Sequence, residues 1–270
     1  MKKIIVIPVF ALSFLLITWV VQSFKTQDQL VVTFCDVGQG DGAYIRTPKK
    51  HDIVIDAGPD SSILNCIGAN MPFWDRKIDL IILSHFNLDH VAGVVDIVNR
   101  YDVKRIAVST VNTKRQDVKD YMMIFKDKNI DIDDIDVNDK YKIEDGIAIK
   151  TLGPIDNPGL IEDNNSSLVQ LLSYKNYDFL FTGDSSYEVL NPILNRLGRE
   201  VEVLKVPHHG SKTGLNKESF NTFKPKIAVI SSGKKNRYGH PHAEVINLLK
   251  DNAVEIRRTD EEGNIKFVLK

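Results

Sequence analysis

The 270-residue sequence predicts an α/β fold of sheets covered by helices, preceded by one N-terminal transmembrane helix. Three observations lead there. Strand-length apolar runs alternate with segments of helical periodicity in both halves of the chain. Six of the seven histidines fall in three short clusters, each following the carboxyl end of an apolar run. Ile4 to Phe24 carries no charge and lies just behind Lys2 and Lys3.

Roughly 20 apolar residues cross a bilayer as a helix, so residues 4–24 read as an anchor within an N-terminal unit, 1–26. The lysines ahead of it would stay inside, which places the domain over 27–270 outside the cytoplasm. The competing reading is a signal peptide cut after Val21-Gln22-Ser23, which would release a secreted domain. Leu30–Asp36 then reads as a buried strand. The turn Gly38-Gln39-Gly40-Asp41-Gly42 and the strands Ala43–Thr47 and Asp52–Asp56 follow, an antiparallel start to a sheet. Ser61–Ala69 is helical, and Ile78–Leu83 is an apolar strand ending at Ser84. From Asp89 the spacing is helical again, with Val91, Val94, Val95 and Val98 on one face.

The second half repeats this plan. Ser167–Ser173 and Asp178–Thr182 form a hairpin, Tyr187–Leu197 a helix, and Val201–Val206 and Ile227–Ser231 two strands. Helix Ala243–Lys250 and two closing strands complete the domain. The chemical clusters follow strand ends, where α/β folds commonly place their sites.

Bulk composition excludes little. With 43% apolar residues and a net charge of -1, the chain is an ordinary globular protein, without a global pointer to nucleic acid or membrane. Residues 199–237 hold nine Lys/Arg against three Glu and surround the second and third histidine clusters. A solvated face explains that run equally well. Cys35 in a strand and Cys66 in a helix read as two separate buried thiols, although an exported protein permits a pair. Neither stands at metal-ligand spacing, which excludes a zinc finger.

The clusters carry the chemistry. In His85-Phe86-Asn87-Leu88-Asp89-His90, a strand end and a helix start form a sharp turn that aims several side chains at one spot. Imidazole nitrogen with carboxylate oxygen suits zinc, manganese or iron. Asp184, after Thr182-Gly183, is a helix N-cap or a carboxylate shared by two metals. In Pro207-His208-His209-Gly210-Ser211 the adjacent rings point differently, one for metal and the other for substrate or packing. His240, in a loop with Asn236 and Tyr238, reads as a substrate contact or proton donor.

The ordered set His85-x-x-x-Asp89-His90, Thr182-Gly183-Asp184 and Pro207-His208-His209-Gly210-Ser211 resembles the metallo-β-lactamase superfamily. More narrowly it is similar to the hydrolase domain of ComEC-type DNA-uptake proteins. Asp36-Val37-Gly38-Gln39-Gly40-Asp41, Ile55-Asp56-Ala57-Gly58, Asn165-x-Ser167-Leu168-Val169 and Asn236-Arg237-Tyr238-Gly239-His240-Pro241 extend the likeness over about residues 30–270. The resemblance implies an αββα metallo-β-lactamase sandwich with one or two divalent ions, zinc or manganese, at one edge of the sheets. It implies His85, Asp89, His90, Asp184 and His208 as ligands. Asp89, Asp184 and His240 would be catalytic, and His209, Ser211, Asn236, Tyr238 and His240 would contact substrate. Two departures bear on the metals. Asn87 replaces the usual His or Asp, and Asn164, Asn165 and Ser166 stand where the superfamily has a middle histidine. The implied site holds one ion tightly and a second loosely, and its oxygen-rich donors favour manganese.

The implied activity is metal-assisted hydrolysis of a phosphodiester in DNA, with the basic stretch attracting the backbone. ComEC proteins carry a channel domain of many helices. A chain with one anchor would work beside a separate DNA channel protein or act alone. Hydrolysis of a small ester, lactone or β-lactam, and an inactive DNA- or partner-binding module, are the competing classes.

Overall fold

Two seven-stranded sheets stack face to face in the computed structural model, which describes Phe14, Leu15, Thr18 and residues 29–109, 115–143, 146–154 and 163–270. The first strands are β1 (Leu30–Phe34), β2 (Gly42–Arg46) and β3 (Asp52–Ala57), paired antiparallel with Val32 opposite Ile45 and Tyr44 opposite Val54. Next come β4 (Lys77–Ile78), β5 (Leu80–Ile82), β6 (Asp102–Val103), β7 (Arg105–Val108) and β8 (Asp131–Asp134). The second half supplies β9 (Lys140–Lys142), β10 (Ala148–Gly153), β11 (Val169–Tyr174) and β12 (Tyr177–Phe181), then β13 (Val203–Lys205), β14 (Ile227–Ile230), β15 (Glu255–Arg258) and β16 (Ile265–Leu269).

The sheet orders are β16-β1-β2-β3-β5-β7-β8 and β15-β14-β13-β12-β11-β10-β9. Each is half antiparallel and half parallel, so the repeat expected between the two halves is present. The final strand does not stay with its own half. It crosses to the first sheet and pairs with β1, Leu269 opposite Leu30.

Apolar alternation explains the layering. One face of each sheet meets the other around Phe34, which stacks on Phe181 at 5.4 Å. The outer face of the first sheet is covered by Ile63 and Ile67 of helix Ser62–Asn70 and by Val91, Val94 and Ile97. Helices Tyr187–Leu197, Lys217–Phe223 and Ala243–Asp251 cover the second through Leu190, Phe223 and Leu249. All six residues of β3 are buried, as a strand under helices on one side and a second sheet on the other requires. The result is helix, sheet, sheet, helix.

Two expectations are corrected. Residues 78–83 do not form one strand, because Asp79 interrupts them. Its backbone N–H donates to the Asp52 carbonyl, and its carboxylate accepts from the Asp52 N–H at 3.1 Å. Cys35 and Cys66 are not separate thiols but a disulfide. The end of β1 and the inward face of helix Ser62–Asn70 converge on one core, where both residues are buried. Among the described residues no helix is long and apolar enough to cross a membrane. The anchor expected over residues 4–24 lies outside them, apart from Phe14, Leu15 and Thr18, which are helical.

Candidate metal centre

The carboxyl ends of β3, β5, β12, β13 and β14 deliver Asp56, His85, Asp184, His209 and His240 to one edge of the sandwich. The turns there are tight. Gly40 lies where a Cβ would come within 2.2 Å of the Asp89 carbonyl, which accepts the Asp41 N–H at 3.1 Å. Gly183, at φ +51°, turns the chain out of β12 and leaves no room for a side chain against Ser167. His208 and His209 are consecutive left-handed residues, φ 51° and 54°, which sends their rings in different directions.

Asp89, His90, Asp184 and His209 gather with one ligand atom from each within 4.8 Å of the others. His90 Nε2 is 3.2 Å from Asp184 Oδ1. His209 Nε2 is 3.4 Å from Asp184 Oδ2 and 3.4 Å from Asp89 Oδ2. The other nitrogen of each ring is already committed. His90 Nδ1 lies 2.9 Å from Asp56 Oδ2, and His209 Nδ1 lies 3.0 Å from the Ser231 carbonyl and 3.3 Å from Asp41 Oδ1. Each ring therefore donates Nδ1–H to the protein and turns Nε2 toward the carboxylates, the orientation that outer carboxylates impose on metal-binding histidines. His90 Nε2, His209 Nε2 and Asp184 Oδ1 are buried without a hydrogen-bond partner. Buried polar atoms are rarely left so. Three orphaned donors converging on one point fit a divalent cation.

Electrostatics agree. Burial would lower the pKa of His90, but Asp184 and Asp56 outweigh it and raise it to about 10. His209 is held well above the usual range against burial by Asp184 and Asp41. Asp184 is held well below the carboxylate range, because His209 and His90 overcome the upward push of burial. The pocket is strongly attractive to positive charge, and a proton and a metal ion compete for it.

A second trio, Asp41, Asp56 and His90, is equally close-set and fully buried. Its cation is Lys205, whose ammonium meets Asp41 and donates to the Gly183 carbonyl at 3.1 Å. Ser84 pins Asp56 with its N–H and hydroxyl, both at 2.7 Å. These groups form a floor beneath the four donors. Lys205, expected with the basic stretch 199–237 to attract a nucleic-acid backbone, is instead buried and paired with Asp41, a residue of the first-loop motif to which no individual role was assigned. A lone charge in the apolar run Val203-Leu204-Lys205-Val206, one proline ahead of two histidines, was the available signal.

The remaining site residues divide. His85 adjoins His90, ring centroids 4.2 Å apart, with Nδ1 near Ser84 and Ser167 and Nε2 orphaned. Burial, then His90, pushes its pKa down to about 3, so it is neutral. His208 lies outside the four-residue set, its Nε2 3.7 Å from Asp184 Oδ2. The structure thus brings His209 rather than His208 among the donors. Asn87 donates to Asn164 at 2.7 Å, and the Asn164 amide stands 3.4 Å from His208 Nε2.

Beyond the donors opens a cleft of ≈ 430 Å³, lined by Gln39, Asn164, His208, Tyr238 and His240 among others. Tyr238 is half exposed and stacks on His240. His240 is pushed down to about 4, first by burial and then by His209 and His208, so its ring is neutral at pH 7. Two residues expected at the substrate do not line this cleft. Asn236 uses its amide to brace its own loop, donating to Gly233 and His240 and accepting from Tyr238 and His240. Ser211 is buried and bonded to Thr213.

The chain matches the metallo-beta-lactamase superfamily over residues 35–234. It is 29% identical over 254 residues to ComE operon protein 3 of Bacillus subtilis (strain 168), covering 87% of this chain and 32% of that protein. It is 25% identical over 252 residues to Competence protein ComA of Neisseria gonorrhoeae, covering 90% of this chain and 33% of that one. The chain thus spans about a third of the length of these relatives. Among solved structures, the metallo-beta-lactamase fold protein YhfI from Bacillus subtilis aligns with a TM-score of 0.64 at 12% identity, over 88% of this chain and 99% of that one, a likeness of fold.

Proposed function

The chain belongs to the metallo-β-lactamase superfamily and resembles ComEC-type competence proteins, and on that premise we propose that it is an extracytoplasmic, metal-dependent phosphodiesterase that cuts DNA. One observation carries the reading: the orphaned atoms of His90, Asp184 and His209 gather with Asp89 at the base of a polar cleft that Asp89, Asp184 and His209 line together with Asn164, His208 and His240.

These four residues would hold a divalent ion, zinc or manganese. When bound, the ion polarises a phosphoryl oxygen and lowers the pKa of water from 15.7 toward about 7. His85 and His208 remain for a second, weaker ion, to which Asn87 and Asn164 offer no anionic donor. Asp89, a third exposed at the cleft, accepts a hydrogen bond from the attacking water and orients it. Asp184, with one oxygen 3.2 Å from His90 Nε2 and the other 3.4 Å from His209 Nε2, would give the ion its central anionic donor. His240, neutral at pH 7, acts by donating ring N–H to a phosphoryl oxygen, and Tyr238 stacks beside it at the mouth.

The basic stretch divides. Arg199 and Lys226 pair with Asp178 and Glu202 at the far end of the strands. Lys212, Lys234, Lys235 and Arg237 are exposed in the segments that carry His209 and His240, from which they would attract the phosphate backbone. Residues 4–24 would tether the domain to the membrane, beside a separate channel protein or alone.

The substrate class is tested by offering the protein bis(p-nitrophenyl) phosphate, a chromogenic β-lactam and a lactone, each with manganese, zinc or chelator. Metal-dependent turnover of the phosphodiester above the other two supports the reading. Turnover of only the lactam or lactone overturns it.

A further inference from the structure

Phe73 is the most exposed large apolar side chain among the described residues, 81% open to solvent, and its neighbour Trp74 is 60% open. Their rings pack edge to face at 4.9 Å. They occupy the turn between helix Ser62–Asn70 and β4, at the end of the strands opposite the metal centre. Contacts fix that position. Arg46, the last residue of β2, pairs with Asp52 at the start of β3 at 2.6 Å and with Asp75, beside Trp74, at 3.1 Å. Arg46 also stands opposite Val31 in β1. The aromatic turn is therefore two strands from the point where the chain enters the domain.

Other groups share this end. The β11–β12 turn is tied to the last residue of the chain, with Lys175 Nζ donating to the Lys270 carbonyl at 2.6 Å. It carries Tyr177, 38% exposed. Lys50 is exposed in the β2–β3 turn. Exposed aromatic rings and lysines thus surround the entry of the chain. Along β3, Asp56 lies four residues beyond Asp52, about 13 Å from this end.

We propose that this end of the domain rests on the bilayer, with Phe73 and Trp74 seated in the lipid interface and the metal centre facing away. The proposal rests on the reading of residues 4–24 as a membrane anchor. Only residues 25–29 separate that run from Leu30, and fully extended they reach at most about 20 Å. The entry end therefore cannot leave the vicinity of the membrane. Aromatic rings concentrate at the headgroup level, and lysines are drawn to anionic leaflets. A cleft on the opposite end stays open to DNA arriving from solvent.

The test uses the full chain in vesicles of phosphatidylcholine and phosphatidylglycerol. Trp19→Phe leaves Trp74 as the sole tryptophan. Interfacial seating predicts that Trp74 emission shifts to shorter wavelength, is quenched by phospholipid brominated near the headgroup, and is shielded from aqueous iodide. Flotation with the vesicles while Trp74 stays unquenched by bromine and open to iodide would overturn the seating and leave the anchor standing. Shielding from iodide without quenching by bromine would assign the face to a second copy or another protein, and overturn the lipid assignment. Failure to float with the vesicles would remove the anchor and this proposal together.

Discussion

The ammonium of Lys205 meets the carboxylate of Asp41 beneath the metal centre, with both side chains buried. Lys205 also holds the Gly183 carbonyl, and the other Asp41 oxygen lies 3.3 Å from His209 Nδ1. One internal cation thus secures both the turn that aims Asp184 and the carboxylate that orients His209. Lys205→Met strands the Asp41 charge and should cost about 3–5 kcal/mol in denaturant unfolding. Loosening of these outer contacts should also lower metal affinity about 10–100-fold. Adding Asp41→Asn should restore part of the stability and none of the affinity.

The two adjacent histidines should separate in their effects. His209→Ala removes one of four converging donors and should empty the site of metal on dialysis, read by elemental analysis. His208→Ala should retain the tighter ion while lowering turnover. Equal metal loss in both variants would contradict the assignment of His209 to the donor set.

Metal binding should release protons. Without an ion, His90, raised to about 10, and His209, raised well above its usual range, hold protons at pH 7. An ion must displace them, so affinity should climb about tenfold per pH unit for each proton displaced. Calorimetry in two buffers of different ionisation enthalpy should show at least one proton released per ion at pH 7. The ion-free fold has the opposite dependence. The raised pKa of His90 stabilises it fully below about pH 6.5, and that contribution fades as pH rises toward about 10.

The disulfide closes a separation of 31 residues between β1 and helix Ser62–Asn70. By chain entropy, Cys35→Ala with Cys66→Ala should cost about 3–4 kcal/mol. Denaturation of the oxidised and doubly substituted proteins measures it.

Much of this was legible from local pattern. Strand ends followed by histidine or aspartate located four of the segments that meet at the centre, because a strand aims its next turn at the sheet edge whatever its neighbours do; the Asp56 segment came only with the family resemblance. Helix Tyr187–Leu197 was read to the residue from its apolar period. What escaped depends on tertiary placement. The exchange of His208 and His209 follows from two left-handed backbone conformations that no local propensity announces. Lys205 in an apolar strand acquires meaning only when β13 lies beside the Gly38–Gly42 turn. The pairing of Cys35 with Cys66 needs the strand and the helix to share a core. Asn236 and Ser211 sat in the right motifs, but their hydrogen bonds turn inward to hold the loops.

The most direct measurement of the central claim is cleavage of fluorescently labelled single- and double-stranded DNA by the full chain, with manganese, zinc or chelator, beside Asp184→Asn. The account predicts metal-dependent cleavage that chelator abolishes and that falls at least about 100-fold in Asp184→Asn, consistent with loss of about 2.7 kcal/mol or more of transition-state stabilisation. Cleavage that survives chelator, or an Asp184→Asn protein at the full metal-dependent rate, would contradict it.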